Sequence, residues 1–185
     1  MTVEDVVKRA LKYKRFYGKN GGVTFSGGEP LMQAAFVLEC VKRLKECGVH
    51  TALDTSGGIW NDEVKALLDA TDLILLDIKH SNAEGFHALC GGNMETLDHV
   101  LNHLRHNRKP VWVRQVIVEG FTQSEQQVRA MVEKTAGINR IKTELLPYHT
   151  LGVHKWEALG IPYTLADVLP PDSATMETLR AIAGA

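Results

Sequence analysis

The strongest constraint on this chain is an alternation. Five short runs of β-branched, aromatic or aliphatic residues are each separated from the next by a stretch with apolar residues at helical spacing. The runs are Val23-Thr24-Phe25, 49–53, Leu73-Ile74-Leu75-Leu76, 111–118 and 141–146. The third is apolar at every position, as expected of a parallel strand covered on both faces. Strands alternating with helices connect by right-handed crossovers, so the pattern predicts an α/β fold with a mostly parallel sheet, open or barrel-like. Helical spacing is read over 2–17, where Thr2 and Asp5 resemble a capping box, and over 31–47, with Gly48 as the stop. It recurs over 63–70, 83–89, 94–105, 124–134 and 172–182. Because the pattern opens on a helix, an N-terminal strand is expected to be missing from the alternating order. No repeat, low-complexity segment or long polar linker divides the sequence, and 185 residues suffice for a single domain with a full core.

The 21 Lys and Arg residues against 22 Asp and Glu give a net charge of -1, which argues against nucleic acid as a partner. No apolar run is long enough to cross a bilayer, and the first residues form a charged amphipathic segment unlike a signal peptide, so no membrane is expected and a cytoplasmic location is. The cysteines Cys40, Cys47 and Cys90 are an odd set without zinc or redox spacing. At ~1.5 Å rise per residue, Cys40 and Cys47 lie about 10 Å apart along one predicted helix, so free thiols are expected.

Position points to function. Gly27-Gly28-Glu29, Asp54-Thr55, Asp77 with Lys79, and His149 each follow a predicted strand, and in parallel α/β folds such ends gather on the face where ligands bind. Adjacent glycines let the main chain approach a ligand, and Glu29 offers an acceptor to an amine. A phosphate loop would carry a lysine and a hydroxyl where this one has Glu29-Pro30; the plainer alternative is a tight turn with a solvated Glu29. Asp54 and Asp77 either share a cation or polar ligand, or each caps its own loop. Lys79 suits a ligand carboxylate. Arg114 shares its face with Trp112 and Val116, and that face points either at the helices, requiring a buried anionic partner, or at the ligand. His149 follows the helix-breaking Pro147, in a loop suited to a hydrogen-bonding contact. His99, His103 and His106 have helical spacing that zinc could use, but no further ligand cluster accompanies them, so a solvated face is expected.

Together, Ser26-Gly27-Gly28-Glu29-Pro30, Asp54-Thr55-Ser56-Gly57, Asp77-Ile78-Lys79, the 111–118 strand bearing Arg114, and 145–149 with His154-Lys155-Trp156 resemble the pyruvate formate-lyase activating enzymes. These are radical S-adenosylmethionine (SAM) proteins that install a glycyl radical. The resemblance extends from the first helix to Pro170-Pro171. It implies a partial (β/α) TIM-like barrel with SAM across its open face. Gly27, Gly28 and Glu29 would hold the SAM amino group, and Asp77, Ile78, Lys79, Arg114 and His149 would make further contacts, Lys79 with the carboxylate. Asp54, Thr55 and Asp77 would form a monovalent-cation site, and no residue is assigned as catalytic. Also implied are a [4Fe-4S] cluster, a glycyl radical enzyme such as pyruvate formate-lyase as partner, and an electron donor such as flavodoxin or ferredoxin. The family places the cluster on a Cys-x3-Cys-x2-Cys motif upstream of the first helix. This sequence starts after that segment and none of its cysteines has the spacing, so the chain is expected to be inactive alone. Glu119 stands where the family usually has proline before glycine, a departure that touches one loop. The alternative expectation is a non-catalytic module that binds SAM or a partner protein.

Overall fold

The computed structural model describes residues 1–19 and 21–185. Five parallel strands, β1 (Gly22–Phe25), β2 (His50–Thr55), β3 (Leu73–Asp77), β4 (Pro110–Ile117) and β5 (Asn139–Pro147), pair in sequential order in one sheet. When every crossover steps to the neighbouring strand with the same hand, the sheet curls one way and its helices cover the outside. The result is a partial TIM-like barrel.

The described residues contain eight α-helices: α1 (Val3–Leu11), α2 (Ala34–Glu46), α3 (Asp62–Ala70), α4 (Ala83–Cys90), α5 (Met94–Asn107), α6 (Glu125–Lys134), α7 (Val153–Leu159) and α8 (Ser173–Ala183). The loops that lead from strand to helix end in residues that cap the helix. Asn61, Asn82 and Ser124 accept the backbone N–H of Val64, Gly85 and Gln127. The capping box of α1 is formed, with Asp5 N–H donating to Thr2 Oγ1 at 3.2 Å and Thr2 N–H to Asp5 Oδ2 at 2.9 Å.

Two helices are shorter than their spacing predicts. α1 stops at Leu11 and a 3₁₀ turn follows over Lys14–Phe16, tied back by the Tyr17 hydroxyl donating to Ala10 O at 2.7 Å. The stretch from Pro30 opens as a 3₁₀ turn, because Gln33 at φ -126°, ψ 37° lies outside helical geometry, and the α-helix proper starts one residue later. α7 has no counterpart in the sequence reading; it is a seven-residue helix that buries no residue.

The core lies between sheet and helices. Leu53, Ile74, Leu76, Val111, Val113 and Ile117 point outward from the sheet and are completely buried with Val41, Leu67, Leu97, Leu101, Leu104 and Met131. Each such side chain contributes about 1.5–3 kcal/mol of burial. The opposite face is only half covered: Leu73, Leu75 and Asp77 of β3 alternate with the buried Ile74 and Leu76. β3 was expected to be covered on both sides, but five strands do not close a barrel, and the inner face stays partly open.

At the end of the sheet where the strands begin, Asp72 ties three elements together. Its Oδ2 accepts the Thr51 N–H at 2.9 Å and hydroxyl at 3.0 Å, and its Oδ1 accepts Lys45 Nζ at 2.7 Å. Burial works against the charge, but the Lys45 and Thr51 hydrogen bonds outweigh it and hold the carboxyl below the usual carboxylate range. Among the described residues, no helix is long and apolar enough to cross a membrane.

Candidate functional site

The ends of β1 and β2 meet at Glu29. This residue caps the 3₁₀ turn after β1, and its extended backbone turns the carboxylate toward β2. Oε1 accepts the Leu31 N–H at 3.1 Å and the Thr55 hydroxyl at 2.6 Å; Oε2 accepts the Ser56 N–H at 3.0 Å and hydroxyl at 2.7 Å. Four donors occupy both oxygens, so the site offers a fixed negative charge rather than a vacant lone pair. The Thr55 hydroxyl is committed as well, accepting the Gly57 N–H at 3.0 Å. Sequence reasoning missed Ser56 as the second clamp on Glu29; its position directly after Asp54-Thr55 was the available signal.

Gly27 and Gly28 form the turn that precedes Glu29. Both have positive φ, 88° and 44°, and a side chain added at either would meet nothing within 4 Å. Glycine is therefore required here by conformation rather than by crowding. The space above the turn is open to a ligand.

The second cluster lies one strand further in. Burial alternates strictly along β4: Val111, Val113, Gln115 and Ile117 face the helices, and Trp112, Arg114 and Val116 face the inside. This settles the direction of Arg114, which points into the open face. The register pairs Asp77 with Arg114 and Arg114 with Glu144, and sets Asp54 beside Leu75. The Arg114 guanidinium donates to Asp54 Oδ1 and lies 4.0 Å from Asp77 Oδ2, which in turn accepts Lys79 Nζ at 2.8 Å. Two carboxylates and two cations thus alternate, and Arg114 relieves the repulsion between Asp54 and Asp77. Asp77 Oδ1 and Arg114 Nε are buried without partners, so the cluster keeps one acceptor and one donor in reserve.

Glu29, Thr55, Asp54, Asp77, Lys79 and Arg114 are therefore gathered by four adjacent strands, β1 to β4. Ile78 is placed differently: its side chain is fully buried in the core, and its N–H donates to Arg114 O at 2.8 Å. His149 lies exposed just beyond β5 and, among the described residues, makes no side-chain hydrogen bond. Of the three helical histidines, His103 binds Asp69 at 2.9 Å and packs edge-on against Trp60, and His99 stacks on the same indole with ring centroids 5.9 Å apart. They form a surface aromatic cluster. Cys40 is buried within α2, Cys47 ends that helix and Cys90 is exposed at the end of α4. Among the described residues, no group of three or more His, Cys, Asp or Glu is placed to hold a metal ion. An open groove between α1 and α2, lined by Val7, Leu11, Arg43 and Cys47, sits in the outer layer away from these residues.

The rim offers a fixed carboxylate, Glu29, to a cationic group, and a lysine and an arginine, Lys79 and Arg114, to an anionic one. The Lys79–Asp77 pair has a lysine side chain 38% exposed, and pairs of that kind contribute roughly 0–1 kcal/mol. A ligand carboxylate can therefore take over Lys79 at little cost.

The Radical SAM superfamily model matches residues 1–134. The pyruvate formate-lyase-activating enzyme of Clostridium pasteurianum is 40% identical over 183 residues, spanning 97% of this chain and 76% of that one. The enzyme of the same name from Staphylococcus aureus strain USA300 is 42% identical over 188 residues, spanning 96% and 74%. Among solved structures, a domain of pyruvate-formate lyase-activating enzyme from Bacteroides vulgatus superposes with a TM-score of 0.71 at 24% identity, covering 89% of this chain and 94% of that one. Streptococcus suis SuiB bound to S-adenosylmethionine superposes with a TM-score of 0.67 at 16% identity, covering 90% and 36%. These two likenesses bear on the fold alone. The family match and the curated relatives show that this chain belongs to the pyruvate formate-lyase-activating enzymes of the radical SAM superfamily.

Proposed function

We propose that this chain is the SAM-binding body of a glycyl-radical-enzyme activator, with the methionine end of SAM held at the strand-end rim. Glu29 faces the SAM α-ammonium, Lys79 and Arg114 face its carboxylate, the Gly27-Gly28 turn admits the ligand to the backbone, His149 flanks it, and Ile78 contributes from the core side by anchoring the segment that presents Lys79. The observation that carries this reading is the pairing of a four-donor carboxylate with a partly unsatisfied Asp77–Arg114 cluster on neighbouring strands. The Asp54, Thr55 and Asp77 cation site belongs to the same reading, with Asp77 Oδ1 as the acceptor still free for it. A [4Fe-4S] cluster, fed by a flavodoxin- or ferredoxin-type donor, would supply the reducing electron for SAM cleavage in this family, and the outcome would be hydrogen abstraction from a glycine of a partner such as pyruvate formate-lyase.

The residues of this chain fit SAM but not the cluster. Cys40, Cys47 and Cys90 lie on separate parts of two helices and make no three-thiolate group. Thiolates for that chemistry would come from outside these residues, and the roles proposed here are to bind, orient and shield SAM. The same observation supports a second reading, a non-catalytic module that binds SAM or a partner protein.

Titration calorimetry with SAM tests the shared part: saturable heat is expected, and none at millimolar ligand would overturn both readings. Reconstitution with iron and sulfide followed by electron paramagnetic resonance tests the cluster statement, since a stoichiometric cubane signal from this chain alone would refute it. Adding a polypeptide that carries the three-cysteine motif separates the two readings. SAM cleavage under reductant supports the activator, and binding without cleavage supports the module.

A further inference from the structure

The segment that carries Asp77 and Lys79 is pinned at nearly every residue. Ile78 N–H donates to Arg114 O at 2.8 Å, and Ile78 O accepts Gln115 Nε2 at 3.2 Å from a side chain 1% exposed. The Ser81 hydroxyl donates to Gln127 Oε1 at 2.9 Å. His80 closes the arrangement: it is 3% exposed, and its Nδ1 accepts the Asn82 N–H at 3.2 Å. Its ring lies flat on Gly85, where an added Cβ would stand 2.2 Å from Cε1 and 2.4 Å from each ring nitrogen. Gly85 is the third residue of α4, and glycine in a helix interior costs about 1 kcal/mol relative to alanine. Helix propensity therefore argues against glycine at this position, and the imidazole seated on it supplies the reason.

We infer that His80, seated on Gly85, is a positioning residue that fixes where the Lys79 ammonium meets the carboxylate of the ligand. The inference rests on the SAM-binding reading of the rim and goes beyond it, because His80 touches neither the ligand groups nor the charged cluster. It acts through the backbone of its neighbour, holding the C-terminal side of Lys79 as the buried Ile78 holds the N-terminal side. A loop held within about half an ångström presents its charge without first being ordered, and releasing it returns that entropy cost to the binding step.

The test uses the full chain and three variants. His80→Ala is expected to weaken SAM binding about tenfold, whereas His80→Asn, whose Oδ1 can stand in for Nδ1, should stay within about threefold of the parent. Gly85→Ala should lower the melting temperature in the parent but leave it unchanged or raise it in the His80→Ala background, where the ring is gone and only helix propensity acts. Equal SAM affinity in His80→Ala and the parent would overturn the inference, as would a Gly85→Ala effect of the same sign in both backgrounds. If the parent itself binds no SAM, the rim reading fails, and the side-chain NMR signal of Lys79, assigned through Lys79→Arg, still decides this one. That signal should shift in His80→Ala and hold in His80→Asn, and an unmoved signal refutes the positioning role.

Discussion

Glu29 carries the largest share of the rim's chemistry, and its four hydrogen bonds separate charge from scaffolding. Glu29→Gln keeps the shape but removes the charge and turns an NH₂ group toward donors. Hydrogen bonds to a charged group are worth about 1.5–3 kcal/mol, so we expect about 2 kcal/mol of lost stability in urea unfolding together with at least tenfold weaker SAM binding. Ser56→Ala removes one of the four donors, the hydroxyl, and leaves the backbone N–H in place and the carboxylate charged; stability should fall by about 1 kcal/mol and SAM affinity should barely move. Equal losses of affinity in the two variants would mean that Glu29 is a structural clamp and not the charge that attracts the ammonium. Glu29, Asp54, Asp77 and Lys79 were legible in the sequence because each follows a strand-like run. Arg114 was legible as a residue but not as a direction, since strand parity says which residues share a face and only packing says which face is covered. Ser56 and His80 were silent, because what they touch is far away in sequence or on the next helix.

At the scale of elements, the strands and the helices that cover them followed from periodicity, and what escaped was α7, a helix of seven residues, too short for its apolar spacing to repeat. α7 buries no residue and is tethered by a pair of phenols: Tyr148 and Tyr163 share a hydrogen bond of 2.8 Å, and Tyr148 donates to Leu165 O at 3.1 Å. Burial, with the Tyr148 hydrogen bond, pushes the Tyr163 hydroxyl up to about 12. Its pKa in the unfolded chain is about 10, so the folded state holds the proton more firmly, and this stabilisation is complete below about pH 10 and disappears as the pH rises toward 12. Tyr163→Phe should flatten that part of the alkaline unfolding curve and speed amide exchange over 150–169 while leaving the sheet unchanged. Unaltered exchange there would show that α7 is held by something else. Asp72 has the opposite sign. Its carboxyl is held low in the folded state, so its contribution is present above about pH 4, the unfolded value, and is lost as the pH falls through the folded value. Asp72→Asn should be less stable than the parent at pH 7, and the gap should narrow below about pH 4. A gap independent of pH would assign the loss to packing.

Across the whole molecule, five parallel strands in sequential order leave a curved sheet with helices outside and a half-covered inner face, and the rim at its strand ends holds both signs of charge. The alternation in the sequence gives the order of elements. It does not give the openness of the inner face, because β3 has the same apolar run whether one or both faces are covered. That openness makes the ligand a part of the molecule's stability. A ligand that binds only the folded chain stabilises it by RT ln(1 + [L]/Kd), about 1.4 kcal/mol at ten times Kd, which for a chain of this size raises the melting temperature by about 3–6 °C. If the rim recognises the amino-acid end of SAM, methionine must give part of that shift at high concentration and compete with SAM, while adenosine, which has neither ammonium nor carboxylate, gives none. Glu29→Gln must abolish the methionine shift as well. Adenosine stabilising the chain while methionine does not would place recognition at the other end of the ligand, leaving Glu29, Lys79 and Arg114 as a charge network that merely holds three strand ends together.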